Sequence, residues 1–268
     1  MLTAYIEGVG LVGPGLASWD AGAAILRGET PYSFGPTVIP ALELLPPAER
    51  RRTVPTVKLA LAVAHAALLA AGRDPTTVAT VFGSSGGDGE TIENILETLA
   101  TSEAREVSPT RFHNSVHNAP AGYWAIATGC REPSLSLCAH DQTFAACLLE
   151  AALQVHLDRR AVGVFVYDQP YPRALGIARP ILGAYGVGLL LAPEQSEKSL
   201  SAITVSLEDG GVPTALDDAE LERLRRGNPA ARSLPLLAAL AAGKGGRLVF
   251  ETTGAQRLFV DVEPIAHG

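Results

Sequence analysis

The sequence predicts an α/β protein in which a sheet is layered between helices. Short apolar segments rich in β-branched residues, at 78–82 and 161–167, have the character of buried strands. Alanine- and leucine-rich segments of helical periodicity, at 57–71 and 144–158, each precede one of those strands. Helices and strands that alternate in this way pack as a sheet covered by helices.

Residues 1–180 supply most of the predicted elements, and Pro55 and Gly72 are typical boundaries of the helix predicted between them. Residues 40–52, which contain proline and arginine, are predicted to form a loop. The predicted strands are 2–7, 78–82, 134–137 and 161–167, and the predicted helices are 19–27, 57–71, 90–99, 119–127 and 144–158.

Residues 181–268 are predicted to contain fewer elements. Apolar runs at 185–191 and 203–207 are interpreted as a β-hairpin pair, and a second hairpin turns at Gly254 between strands 248–251 and 258–262. Two helices are predicted between these pairs, at 217–225 and 234–241. We predict one domain over residues 1–268, with the proline-rich stretch 169–180, predicted to be a loop, as the place for any boundary.

Composition excludes several classes of function. The 268 residues are 47% hydrophobic and 18% charged, which is typical of a well-packed globular protein. The net charge of −7, with no basic stripe, argues against nucleic-acid binding. The opening residues lack a signal-peptide pattern and no apolar run reaches membrane-spanning length, so we predict a soluble, cytoplasmic protein without a membrane span.

Two features suggest ligand sites that the sequence context does not support. Gly8, Gly10 and Gly13 follow a predicted strand in the GxGxxG spacing of dinucleotide-binding proteins, but Pro14 and Gly15 come next, where a helix should begin. We therefore predict a tight glycine turn. The three cysteines lack CxxC spacing, so neither a disulfide framework, nor a structural metal site, nor any cofactor is expected.

The segment 132–143, Glu-Pro-Ser-Leu-Ser-Leu-Cys-Ala-His-Asp-Gln-Thr, leads into a helix of small residues and resembles the nucleophile elbow of β-ketoacyl synthases. Other stretches resemble the same family: 5–15, 81–84, 108–122 and 186–191. The resemblance implies a thiolase-like layered α/β/α fold, with a complete N-terminal half in residues 1–180 and an abridged C-terminal half in residues 181–268.

In this family the elbow carries a cysteine whose thiol pKa is lowered by a helix N-terminus, and the resemblance places Asp141 there. A carboxylate would form an easily hydrolysed anhydride instead of a thioester. Cys138 and Cys147 lie off that position, and each is expected to be a small buried core residue. Active members also have two histidines in the second half, whereas no histidine lies between His156 and His267 here.

Together these departures imply a subunit of the chain-length-factor type, with no catalytic or metal-binding residues and no enzyme activity of its own. Such proteins occur beside ketosynthases in bacterial aryl-polyene-type pigment pathways. The resemblance implies a heterodimer with an active ketosynthase and transient contact with an acyl carrier protein. In family dimers the strand before the elbow pairs across the two-fold axis, which implies an interface at Pro133, Ser134, Leu135, Ser136 and Leu137.

The segment before that strand reaches the partner's acyl pocket in such dimers, so side chains of this chain are expected to limit the length of the partner's acyl chain. The residues implied to line that tunnel are Phe112, His113, Ser115, Val116, His117, Gln142 and Phe144. Which acyl chain is bound, and whether Asp141 has a chemical role, are questions that the sequence leaves open.

Two alternatives remain at this stage. A metal-dependent hydrolase would use His113 and His117 on one helical face with Asp141 as a third ligand, although prolines flank the segment and no glutamate lies between the histidines. A purely structural partner would bind the ketosynthase without acyl contact. The sequence also leaves open whether the chain is stable alone and whether it forms homodimers.

Overall fold

The structure is a computed structural model that describes residues 1–41, 43–104 and 106–265, which form one eight-stranded sheet flanked by helices. The strands are β1 (Leu2–Val12), β2 (Ala79–Gly83), β3 (Ser134–Leu137), β4 (Val162–Asp168), β5 (Tyr185–Ala192), β6 (Ser201–Glu208), β7 (Gly246–Glu251) and β8 (Arg257–Pro264). The described α-helices are α1 (Trp19–Leu26), α2 (Pro47–Arg52), α3 (Pro55–Ala71), α4 (Gly89–Thr101), α5 (Pro109–Ser115), α6 (Ala119–Thr128), α7 (Thr143–Asp158), α8 (Arg173–Ala178), α9 (Ala219–Gly227) and α10 (Leu234–Ala242).

The strand order is β3-β2-β4-β5-β1-β6-β8-β7, in which β2 pairs in parallel with β3 and with β4 and the other pairs are antiparallel. The predicted hairpin of 185–191 with 203–207 is wrong, because β1 lies between β5 and β6. Leu2 to Ile6 of this long strand pair with β6, and the stretch from Tyr5 to Val12 pairs with β5, so the two pairings overlap at Tyr5 and Ile6.

Gly8 and Gly10 lie inside β1, so the predicted glycine turn is wrong at both positions. They are there because α3 crosses the strand at close range: a Cβ on Gly8 would lie 2.1 Å from the Ala67 carbonyl oxygen, and one on Gly10 would lie 2.2 Å from that of Val63. Only glycine allows such an approach between backbones. Gly8 and Gly10 therefore allow α3 to pack closely on β1. No helix begins directly after Gly13, where a dinucleotide-binding motif would have its helix N-terminus.

Helices cover both faces of the sheet, as a layered α/β/α fold requires. On one face α3 and α6 enclose a core that includes Phe82, Trp124 and Phe165, with ring centroids of neighbouring pairs 5.1 and 5.9 Å apart. On the other face α7 and α10 pack on the sheet, and α7 buries Phe144 and Leu148 there. Burial of each such side chain stabilises the fold by roughly 2 kcal/mol. The predicted thiolase-like fold class is confirmed.

Two short helices, α2 and α8, lie in stretches that had been interpreted as loops. Both begin at or just after a proline, since Pro47 is the first residue of α2 and Pro172 precedes α8. Proline fits the first helical turn, where its missing N–H has no helical partner in any case.

After β5 the described chain adds only three strands and two α-helices, in line with an abridged second half. None of the described helices has the length and apolar character of a membrane span.

Candidate functional site

The turn between β3 and α7 forms a sharp elbow at the carboxyl ends of three parallel strands. His140 has a left-handed backbone, with φ of 54°, and Thr143 fastens the turn by accepting a hydrogen bond from the Ala139 amide and donating one to the His140 carbonyl. In open α/β sheets ligands bind outside the carboxyl ends of the strands. The tip of the elbow is formed by His140 and Asp141, and neither residue has a thiol.

Asp141 is held by two arginines from distant parts of the chain. Arg179, the residue that follows α8, donates to Asp141 Oδ1 at 2.9 Å, and an Arg232 nitrogen lies 3.6 Å from Oδ2. Arg232 also pairs with Glu251 at the end of β7. These four residues, Asp141, Arg179, Arg232 and Glu251, are called the elbow ion network below. The network ties the elbow to α8 and to the closing hairpin.

A second polar cluster, which the sequence analysis missed, lies beside the elbow. Asp168 ends β4 and is buried, and its Oδ1 accepts hydrogen bonds from the Ser85 amide (2.8 Å), the Ser85 hydroxyl (2.7 Å) and the Ser84 hydroxyl (3.2 Å). Burial raises the pKa of Asp168 to about 6, although these hydrogen bonds lower it. A carboxylate at the end of an all-apolar strand was the sequence signal for it.

The cysteines occupy two different environments. Cys147 is buried in α7, as predicted, and burial raises the pKa of its thiol. The prediction of a buried Cys138 is wrong: it is exposed, because it follows the edge strand β3, and its thiol lies 3.4 Å from the Ser85 carbonyl oxygen. A raised thiol pKa disfavours the thiolate, so Cys147 lacks the form that attacks a thioester.

The residues predicted to line a tunnel do not all lie on the surface. Phe112 and Val116 are 64% and 44% exposed, and Ser115 and Gln142 are partly exposed. His113 packs edge-on against Tyr123, at 5.4 Å between ring centroids. Phe144, in contrast, is fully buried, 5.6 Å from the ring of Phe250, so its side chain belongs to the core of this chain.

The proposed metal site of His113, His117 and Asp141 is wrong. Helix α5 ends at Ser115, so His117 is outside the helix and the two histidines do not share a helical face. His117 Nε2 instead donates to the Ser84 carbonyl at 2.9 Å, and Asp141 is engaged by the arginines. Across the part of the chain that the structure describes, no three His, Cys, Asp or Glu side chains are grouped to hold a metal ion.

The strand β3 forms one edge of the sheet. Among the described strands it pairs only with β2. The Thr80 amide of β2 donates to the Pro133 carbonyl, and the Ser84 amide, just after β2, donates to the Leu137 carbonyl. Its first two residues are exposed, and Leu135 presents a partly exposed apolar side chain. An exposed edge of this kind offers unpaired backbone groups to another chain.

The comparisons with known proteins agree with this geometry. The sequence profile of the β-ketoacyl synthase N-terminal domain matches residues 25–246. The fold is similar to that of a chain in the complex of a ketosynthase (ApeO) with its chain length factor (ApeC) from Xenorhabdus doucetiae, with a TM-score of 0.73 and 22% identity over 97% of this chain and 100% of the other.

Two further solved structures are similar over nearly the whole chain. The ishigamide ketosynthase/chain length factor gives a TM-score of 0.72 at 18% identity, over 98% of this chain and 100% of the other. A β-ketoacyl synthase from Burkholderia phymatum STM815 gives 0.71 at 12%, over 99% and 100%. No curated protein matches the chain in sequence. Because the profile match covers most of the sequence and the fold agrees with it, the chain belongs to the β-ketoacyl synthase family, through the N-terminal domain of that family.

Proposed function

We propose that the chain is a non-catalytic subunit of the chain-length-factor type, which pairs with an active β-ketoacyl synthase and limits the length of its acyl product. The observation that carries this proposal is the elbow tip, which consists of His140 and Asp141 without a thiol and whose carboxylate is bound by Arg179 and Arg232. Condensation needs an exposed thiolate at that turn. Cys147 is buried, and Cys138 precedes the tip.

The proposed contact with the ketosynthase is the free edge of β3. Pro133 to Leu137 would pair with the matching strand of the partner, so that the sheets of the two subunits become continuous. Leu135 adds a partly exposed apolar side chain at that edge. The ApeO–ApeC and ishigamide structures each combine a ketosynthase with a chain length factor, which supports this kind of partner.

The surface proposed to limit the length of the acyl chain is the exposed side of α5, together with the residue that follows this helix. Phe112 and Val116 are large apolar side chains left in contact with solvent, and such groups are seldom displayed together without a partner. In the heterodimer they would block the far end of the partner's acyl tunnel. We omit Phe144 from this lining because its ring is buried in the core. The acyl chain would be a polyene, polyketide or fatty acyl chain on an acyl carrier protein.

The first test is co-expression with the ketosynthase encoded beside the gene, followed by size-exclusion chromatography with mass detection. We expect a one-to-one complex that shows condensing activity only when the partner's own cysteine is intact. A homodimer of this chain that does not bind the ketosynthase would contradict the proposal.

A second test separates a chain length factor from a partner that has only a structural role. Phe112→Ala and Val116→Ala should leave the complex intact and shift its products to longer chains, because each removes bulk from the proposed end of the tunnel. Leu157→Ala is the matched control. Leu157 is 71% exposed and lies near the C-terminal end of α7, at the opposite end of that helix from the elbow. An unchanged product distribution from an intact complex would favour the structural role.

A further inference from the structure

A cavity of about 260 Å³ lies between α3 and described residues of the preceding segments 39–41 and 45–53, and none of its lining residues belongs to the candidate site. Its floor consists of Leu45, Val57 and Leu61, which are all buried, and Ile39 and Ala41 contribute to its wall. Small-molecule sites are typically concave and mostly apolar, with a few placed polar groups. This cavity has that composition.

Two cationic side chains, Arg50 and Lys58, line the same cavity. The turn between α2 and α3 brings them together: the Thr53 hydroxyl donates to the Arg50 carbonyl at 2.8 Å, and α3 begins at Pro55. Within the described residues Lys58 forms no ion pair, and Arg50 has only a 3.8 Å contact with the highly exposed Glu43. Both cations therefore have capacity for an anionic ligand.

The charge at this cavity is opposite to that of the whole chain. The net charge of the protein is −7, whereas residues 47–58 contain four cations and Glu49 as their single acid. An apolar cavity with cations at its wall complements a molecule that has an alkyl chain at one end and an anion at the other. An acyl group held as a thioester lacks a free carboxylate at that end of its chain.

We propose that this cavity binds a medium-chain fatty carboxylate, with the alkyl chain over Leu45, Val57 and Leu61 and the carboxylate at Arg50 and Lys58. A cavity of roughly 150 Å³ accepts benzene, which has six carbons. In comparison, a cavity of about 260 Å³ has room for an alkyl chain of about eight carbons. The inference concerns free carboxylates and does not depend on the proposed chain-length role.

The test is calorimetric titration of the full chain with octanoate, and with 1-octanol and octylammonium as probes of the same length. We expect octanoate to bind with a dissociation constant of about 1 mM or tighter. The alcohol should bind about ten-fold more weakly and the ammonium not measurably, because only the carboxylate satisfies the two cations.

Substitutions locate the binding. Lys58→Gln and Arg50→Gln should each weaken octanoate binding by about ten-fold, since each removes a charge-assisted contact. Arg51→Gln is the matched control, because Arg51 is the exposed neighbour that does not line the cavity. Ala41→Phe fills the cavity from its exposed wall and should abolish binding by all probes. Failure of octanoate to bind, equal binding of the alcohol, or an equal loss in Arg51→Gln would each overturn the inference.

Discussion

Asp168 is a single buried side chain whose ionisation makes a pH-dependent contribution to the stability of the protein. Its carboxyl group is buried at the end of β4, and three hydrogen bonds from Ser84 and Ser85 reach Oδ1, while Oδ2 has no hydrogen-bond partner among the described residues. Burial raises its folded-state pKa from 3.8 to about 6. Because the protonated form is favoured by folding, the stabilisation from Asp168 is fully present below about pH 4 and is lost as the pH rises to about 6.

We expect Asp168→Asn to raise the free energy of unfolding at pH 8 by roughly 1–2 kcal/mol. The uncharged amide avoids the buried charge, but its Nδ2 takes the unpartnered position of Oδ2, which removes part of the gain. Denaturant unfolding from pH 4 to 8 measures the effect as the difference between variant and wild-type curves. The exposed Glu194→Gln is the control. A variant less stable than wild type at pH 8, with an unchanged pH slope, would contradict this account.

The elbow ion network should give a measurable pairwise energy at Asp141. Asp141→Ala and Arg179→Ala each remove one end of a 2.9 Å hydrogen bond between partly buried groups, so we expect a coupling energy of roughly 1 kcal/mol in a double-mutant cycle. The control cycle uses Arg159 and Glu194, an exposed pair at 3.1 Å, which should couple by less than about 0.5 kcal/mol. Equal coupling in both cycles would argue that the network has no special structural role.

At the scale of a single element, the edge of β3 allows a selective substitution. The Pro133 and Leu137 carbonyls bond to β2, and alternate residues of a strand direct their backbone groups to opposite sides. The Ser136 N–H is therefore on the free edge, where proline is tolerated. Ser136→Pro should leave the melting temperature of the isolated chain almost unchanged and abolish co-purification with the ketosynthase. Ser136→Ala, which keeps the N–H, should still bind. Binding that survives Ser136→Pro would place the interface elsewhere, and loss of binding in both variants would assign the contact to the Ser136 side chain instead of its N–H.

The elements also show what a sequence of this kind can and cannot predict. Helical periodicity and apolar runs located α3, α7 and the buried strands, because those signals are local. The place of β1 between β5 and β6 was not predictable in this way, since β-pairing joins residues far apart in the chain. Similarly, the elbow was found from contiguous residues, whereas Arg179 and Arg232 reach Asp141 only through the fold. Pro47 at the start of α2 and Pro172 just before α8 were misread as loop signals.

For the molecule as a whole, α4 is notable because it leaves an apolar stripe on the surface. It is amphipathic, but its apolar side chains Ile92, Leu96 and Leu99 are exposed, and Thr91 is its only buried residue. Glu93 and Glu97 of the same helix are bound by Arg173 of α8, so the two elements present one surface. An apolar stripe of this kind is normally covered by another element or chain.

If the ketosynthase covers this surface, its binding must stabilise the fold by mass action. At a partner concentration a hundred-fold above the dissociation constant the gain is about 2.7 kcal/mol, which for a chain of this size raises the melting temperature by roughly 5–10 °C. Leu96→Gln should weaken that shift, because Leu96 is 61% exposed in the free chain and would be buried in the complex, while the stability of the isolated chain changes by less than about 0.5 kcal/mol. Leu157→Gln, an equally exposed position away from α4, should leave the shift intact. A partner-induced shift that survives Leu96→Gln unchanged would place the contact on other faces of the molecule.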